Sequence, residues 1–341
     1  MRKVKFFDTT MRDGEQGIGF LLTNEDKIKL IECLEKQDVE VIEIGMVTDE
    51  TSNIVFDRIS ELGIKKPICT LCRLNDNDIV NNISVMKKIE NPIINLLCVG
   101  SEIHLTKKMN LSLEDYLKKL EYSIGLIDKS DFHGNIYAIL EDASRGSFEY
   151  LEQNVSLLIE KEVKDICFAD TVGCMTPRSV RKLMKHFVSR YPQVNFSVHF
   201  HNDLGLAVAN SIEAIYNGAS MIQTTIGGVG ERCGNTSLEE IVAILEYCQE
   251  YQSNFITGIN LRQAIGLSNF YYDMIGKKPY PNKPIIGEYA FRTCAGIHQA
   301  AILKNPETYE FINPNEIGLT RSFHVNRLSS NKVKASHSLV N

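Results

Sequence analysis

The chain has 341 residues, 43% of them hydrophobic and 23% charged, with a formal net charge of −6. That is an ordinary composition for a globular protein with a sizeable core. No dense Lys/Arg block is present, which argues against nucleic acid as the main partner. No apolar run reaches the ~20 residues needed to span a bilayer, so no membrane partner is expected.

The N-terminus, MRKVKFFDTT, goes straight into a strand-like segment and lacks a signal peptide's apolar region and cleavage site. Nine scattered cysteines without a secretory signal point to reduced thiols and a cytoplasmic location. Cys69-x-x-Cys72 is a lone CxxC at the end of a strand-like run, and reads as buried small hydrophobes rather than a redox or zinc pair.

In chain order, strand-length apolar runs fall at 4–9, 39–45, 67–72, 92–99, 135–141, 165–170, 195–200 and 220–226. Helical patterns lie between them. Asn24–Gln37 carries apolar Ile28, Ile31 and Leu34, and Ser112–Leu126 opens on a capping serine with two acids in its first turn. Thr176-Pro177 opens TPRSVRKLMKHF, and LGLAVANSIEAIYNGA follows the seventh strand, with Asn202 and Asp203 as turn and cap residues. SLEEIVAILEY closes the series with a capping box from Ser237 to Glu240.

Eight β-α units in about 250 residues fit an α/β fold, a (β/α)8 TIM barrel over residues 1–250. A doubly wound open sheet fits less well, because the first βα turn, DTTMRDGEQGIG, is not GxGxxG. Residues 251–341, rich in proline at 279, 281, 284, 306 and 314, read as a mostly helical C-terminal appendage. The stretch 321–341, with no acid, is expected to be partly disordered or to dock on a partner subunit.

Polar residues gather at the predicted carboxyl ends of the strands, where barrel chemistry belongs. Arg12, Asp13 and Gln16 follow the first strand, Glu141 and Asp142 the fifth, Asp170 and Thr171 the sixth, and His199 and His201 the seventh. His199 and His201 share a strand face because side chains alternate, so they form half of a metal site. Asp13 would complete a two-His, one-carboxylate set, and Arg12 would hold an oxygen of a bound substrate. A glycine-rich loop, IGGVGERCGNTS, follows the eighth strand and brings backbone close to a ligand or moves as a lid.

FDTTMRDGEQ, LEDASR, ADTVG, VHFHNDLGLAVANSIEAIYNGA and GGVGERCGNTSLEE, in this order and spacing, resemble the metal-dependent Claisen-condensing barrel enzymes. These are the 2-isopropylmalate, citramalate and homocitrate synthases, with HMG-CoA lyase a more distant relative. The tail segment NKPIIGEYAFRTCAGIHQAAILKNPETYE continues the resemblance. The resemblance implies that Asp13, His199 and His201 bind a divalent metal (Mn, Mg, Zn or Co), with Asn235 in or near its shell. It implies that Arg12 contacts the keto oxygen of a 2-oxo acid, Thr171 its carboxylate, and that Glu141 lies beside the carbonyl. His298, supported by Tyr309, would come from the tail of a second subunit as acid/base group, in a homodimer with exchanged tails. Acetyl-CoA would be the co-substrate, and the reaction would serve branched-chain amino-acid biosynthesis.

Three positions bear on the acceptor. Tyr137 stands where homocitrate synthases carry an arginine for a distal carboxylate, which disfavours a dicarboxylic acceptor. Asn95 stands where many isopropylmalate synthases have histidine, and Ile139 where they have serine. The larger Ile139 favours a small acceptor, so citramalate synthase (pyruvate) is expected ahead of 2-isopropylmalate synthase, with homocitrate synthase or a lyase behind. The GIH and TYE tail motifs favour a synthase over a carbon–carbon lyase. A non-catalytic barrel would need no such full set of catalytic residues. The family's usual regulatory domain of about 120–150 residues is not expected here, and VNRLSSN replaces the family's GKxSG after the IG motif.

Overall fold

The computed structural model describes residues 1–47, 50–327, 329 and 334. Eight parallel strands close into a barrel: β1 (Lys5–Asp8), β2 (Val41–Met46), β3 (Ile68–Arg73), β4 (Pro92–Val99), β5 (Asn135–Glu141), β6 (Asp165–Asp170), β7 (Asn195–Phe200) and β8 (Met221–Thr224). Each strand pairs with the next in sequence, and β8 returns to β1 through Met221↔Lys5 to Thr224↔Asp8. The strand runs read from the sequence lie where expected, with β4, β5, β6 and β7 matching to within a residue.

Eight helices follow the strands: α1 (Asn24–Glu35), α2 (Glu50–Leu62), α3 (Asp76–Met86), α4 (Leu113–Asp128), α5 (Phe148–Glu160), α6 (Pro177–Arg190), α7 (Ala207–Tyr216) and α8 (Leu238–Tyr247). The caps explain several starts. Ser112 accepts from Asp115 N–H, and Thr176 and Ser179 cap each other reciprocally ahead of Pro177. Asn202 accepts from Ala207 N–H at the head of α7. Asp203, expected to share that cap, instead forms a two-pronged ion pair with Arg232. The helices α2, α3 and α5 were not singled out by the sequence pattern. The two cysteines of CxxC are both buried. Burial raises both thiols, Cys72 to about 12, so they sit as small hydrophobes.

Residues facing outward from the strands, such as Phe6, Ile42, Ile94, Leu140, Phe168, Val198 and Ile222, are nearly fully buried under the helices. Phe187 of α6 packs on Phe168 at 4.8 Å and on Phe196 at 5.9 Å between ring centres. Inside a barrel of this type, alternate strands contribute four side chains to each layer. Following the pairing register around the barrel gives three layers. The lowest holds Phe7, Cys69, Tyr137 and Ser197; the next holds Glu43, Asn95, Cys167 and Gln223; the third holds Thr9, Leu71, Ile139 and His199. The lowest layer is closed by Val41, Ile93 and Met221.

The chain divides into two compact units, Lys3–Ile241 and Val242–Asn341 together with Met1–Arg2. In the second unit, α9 (Leu261–Met274) starts with an Asn260–Gln263 capping box, and α10 (Gly296–Ile302) packs by its buried Gln299, which donates to Thr293 O and His324 O. Arg321 forms a two-pronged ion pair with Glu310. Most of the acid-free stretch 321–341, including Leu328, Ser330 and Asn331 of VNRLSSN, lies outside the described residues. Among the described residues no helix is long and apolar enough to cross a membrane.

One interior anchor holds the end of β4 at the mouth of the barrel. Val99 N–H donates to Tyr116 Oη at 2.9 Å, and Tyr150 Oη donates to Val99 O at 3.1 Å. Tyr116 in turn donates to Asn154 Oδ1 at 2.8 Å. Val99 is in register with Glu141, so two helices fix the strand end beside that residue. Tyr116→Phe leaves the buried Val99 N–H and Asn154 Oδ1 without their partner. It should cost about 1–3 kcal/mol, read as a lower urea midpoint with unchanged slope.

Candidate active site at the carboxyl ends of the strands

The loop after β1 is a tight turn in which Thr9 O accepts from the N–H groups of Arg12, Asp13 and Gly14. Asp8 holds Thr10 by two hydrogen bonds, and Thr10 Oγ1 accepts from Ile226 N–H of the loop after β8. Burial pushes the Asp8 carboxyl up to about 7. This turn aims Arg12 and Asp13 at the barrel axis. Arg12 Nε donates to Glu43 Oε2 at 2.8 Å and Arg12 Nη1 to Asp13 Oδ2 at 2.6 Å. Its Nη2 is buried and has no partner.

Asp13, His199 and His201 converge, all buried, with one potential ligand atom each within 4.8 Å of the others. The two Nε2 atoms lie 3.3 Å apart, and Asp13 Oδ2 is 3.5 and 3.7 Å from them. Neighbouring ligands of one divalent ion, bound at about 2.1 Å, lie about 3 Å apart, so the spacing fits. Burial alone would raise the Asp13 carboxyl, but Arg12 and the two imidazoles outweigh it and hold it well below the usual range. Burial, with His199 adding to it, lowers His201 to about 4. The carboxylate is thus ionised and the His201 imidazole neutral, the forms a metal needs.

Asn235 joins this group. Its backbone bridges to His201, and its Nδ2 donates to Asp13 Oδ1 at 2.7 Å and to Val229 O at 3.1 Å. Its Oδ1 is buried without a partner and is free to ligate. Gly230, at φ +151, makes this possible, because a Cβ there would run into both Asn235 Nδ2 and Asp13 Oδ1.

The opposite side of the mouth is built from β5 and β6. Asp142 adopts a left-handed conformation at φ 65, directly after Glu141. It is held by Ser101 Oγ and by Arg145 Nε. Its N–H donates to Thr171 Oγ1 at 2.8 Å, which leaves the Thr171 hydroxyl proton available to a ligand. Arg232 ties Thr171 O to Asp203, joining three loops of the mouth.

Two residues here were not singled out from the sequence. A π-helical turn, His104–Met109, follows β4. Lys108 Nζ donates to both Glu141 oxygens, at 2.8 and 2.6 Å. His104 Nδ1 lies 3.3 Å from Glu141, and its Nε2 3.7 Å from Asp142. The visible signal was a His and a Lys four residues apart after a strand; π-turns recur at functional sites.

Of the acceptor positions, Ile139 packs with Leu71, Cys167 and Ala169 directly at the height of His199. Asn95 is one layer lower and fully buried. Tyr137 lies two layers below His199, packed against Phe7, Val41, Cys69, Ile93 and Met221. His298 and Tyr309 belong to the second unit, where their rings stack at 4.1 Å.

A family model described as HMGL-like matches residues 3–270. The chain belongs to the HMGL-like family. A second model, homocitrate synthase post-HMGL domain-like, matches residues 285–337. Within this family the chain falls among the 2-isopropylmalate, citramalate and homocitrate synthases. It is 34% identical to 2-isopropylmalate synthase 1 of Caldanaerobacter subterraneus over 96% of this chain and 83% of that one. It is 32% identical to 2-isopropylmalate synthase of Aquifex aeolicus over 99% of this chain, and 37% to that of Burkholderia lata over 93%. It spans 64% and 62% of the length of those two relatives. The HMGL-like fold is also that of an HMG-CoA lyase from Pseudomonas aeruginosa, at TM-score 0.67 and 19% identity, covering 82% of this chain and 95% of that one.

Two outcomes test the site. By calorimetry the protein should bind a divalent ion such as Mn²⁺, and His201→Ala should weaken binding well beyond tenfold; equal binding by that variant would sink the assignment. In the metal-free protein, His201 is depressed from its ordinary value near 6.5 to about 4. The unfolded chain therefore takes up its proton first, and folding stability is lost as pH falls from 6.5 towards 4. His201→Gln should show a flatter unfolding profile than wild type across that window, by up to about 3 kcal/mol.

Proposed function

We propose that this protein is a 2-alkylmalate synthase. It joins the methyl carbon of acetyl-CoA to the carbonyl carbon of a short 2-oxo acid and then hydrolyses the thioester to release free CoA. The observation that carries this reading is the Asp13–His199–His201 triad with the unpartnered Arg12 Nη2 beside it. A divalent metal held by these residues and Asn235 would polarise the 2-oxo acid.

The chain's own residues supply the rest. Arg12 Nη2 takes the keto oxygen, where negative charge grows during carbon–carbon bond formation. Its two carboxylate partners hold the guanidinium rigid, and the Asp142 N–H turns the Thr171 hydroxyl proton toward the acid's carboxylate. Glu141, held by Lys108, lies beside the carbonyl. His298, steadied by Tyr309 and supplied by the tail of a second copy, removes a methyl proton from acetyl-CoA. Such acid–base help is worth ~10²–10⁴-fold.

For the acceptor we favour pyruvate, because the large apolar Ile139, packed with Leu71 and Ala169, stands at the height of His199. The competing acceptor is 2-oxoisovalerate, supported by the relatives named 2-isopropylmalate synthase. The decisive assay is thiol release from acetyl-CoA with a panel of 2-oxo acids in the presence of Mn²⁺ or Mg²⁺. Release with pyruvate above 2-oxoisovalerate is expected. No release with any acid would overturn the synthase, and a preference for 2-oxoglutarate would overturn the exclusion of dicarboxylic acceptors.

A further inference from the structure

Five non-glycine residues among the described ones have a positive φ, and two of them grip one threonine. Asp142, at φ 65, donates its N–H to Thr171 Oγ1. Arg232, at φ 53, donates from Nη2 to Thr171 O at 2.9 Å. Side chains larger than glycine are strained in this region, and such strain gathers at functional sites.

Arg232 lies in the loop after β8, where Gly227, Gly228, Gly230 and Gly234 take positive φ without strain. An arginine occupies the fifth such position. Its guanidinium reaches both oxygens of Asp203, from Nε at 2.7 Å and from Nη2 at 2.8 Å. The chain also leaves room for that pair: a Cβ on Gly173, two residues after Thr171, would lie 2.3 Å from Asp203 Oδ2. The two paired side chains are 40 and 23% exposed. An ion pair that exposed adds little to folding stability, so stability does not account for an arginine where glycine would fit better.

We propose that Arg232 is a positioning residue for acid recognition: by tying the Thr171 carbonyl to Asp203, it keeps the Thr171 hydroxyl turned toward the carboxylate of a bound 2-oxo acid. Threonine is stiff at χ1, so a fixed backbone fixes its hydroxyl. Oγ1 already accepts from Asp142 N–H, which leaves its own proton for the ligand. Thr171 is only half-buried, so the mouth gives access to it. Arg232 acts through Thr171 rather than on the acid.

The inference rests on the 2-oxo acid of the synthase reading, and the test keeps the two apart. Arg232→Gly removes the guanidinium while suiting φ 53 better than arginine does, so the loop keeps its course. Its urea midpoint and its calorimetric affinity for Mn²⁺ should match wild type. Binding of pyruvate and of 2-oxoisovalerate to the Mn²⁺-loaded protein should weaken roughly tenfold or more, on the order of one hydrogen bond to a charged group. In turnover, KM for the acid should rise while KM for acetyl-CoA stays. In a Thr171→Val background, Arg232→Gly should cost less than about a further twofold, because both changes remove one contact. Unchanged acid affinity overturns the proposal, as does a parallel loss of Mn²⁺ affinity or a fully additive loss in the double variant. If Arg232→Gly does not fold, Arg232→Lys, which lacks the two-pronged fork, is read in the same way. A wild type that binds neither acid overturns both readings. A wild type that binds an acid but releases no CoA ends the synthase alone, and the binding ratio then decides Arg232.

Discussion

The site depends on one buried cation. Arg12 sits between Glu43 and Asp13, all three almost wholly out of water. A buried guanidinium needs carboxylates, and buried carboxylates need it. Because Arg12 is shared, Asp13 stays ionised next to two imidazoles and can serve as a metal ligand. Glu43, bonded to both Thr9 and Arg12, ties the turn after β1 to β2. Removing Arg12 would strand two charges at once, so its positioning and electrostatic roles cannot be separated by a single deletion.

Around that cation the barrel sorts chemistry by height. The mouth holds the ionisable groups, Asp13, His201 and Glu141. One step down, Ile139 and Leu71 pack together at the height of His199. Below them come the amides and Glu43, and then a closed aromatic and aliphatic base at Phe7, Tyr137 and Ile93. Polar groups set this deep weaken the core that surrounds them unless they are paired.

Much of this was legible in the sequence. Alternation along NFSVHFHND put His199 and His201 on one face, and the strand runs fixed the barrel because central parallel strands are continuously apolar. The pairing of Asp13 with those histidines followed from motif order. What was not legible depended on register between strands far apart in sequence. Gln223 is the one amide in SMIQTTI, and nothing local says that it shares a layer with Glu43 and Asn95. Lys108 was hidden for another reason: a π-turn breaks the 3.6-residue period by which helical neighbours are recognised. Asp203 looked like a cap by residue type, but Arg232, 29 residues on, claimed it.

The clamp on Val99 has a consequence for how such a protein changes over time. Tyr116 and Tyr150 hold the backbone of that strand end from outside, through its own amide and carbonyl, and touch none of the inward side chains through those bonds. Asn95 and Leu97 can therefore be exchanged without loosening the frame that keeps Glu141 in place. Side chains facing inward from this strand are thus free to change while the backbone beside Glu141 stays held.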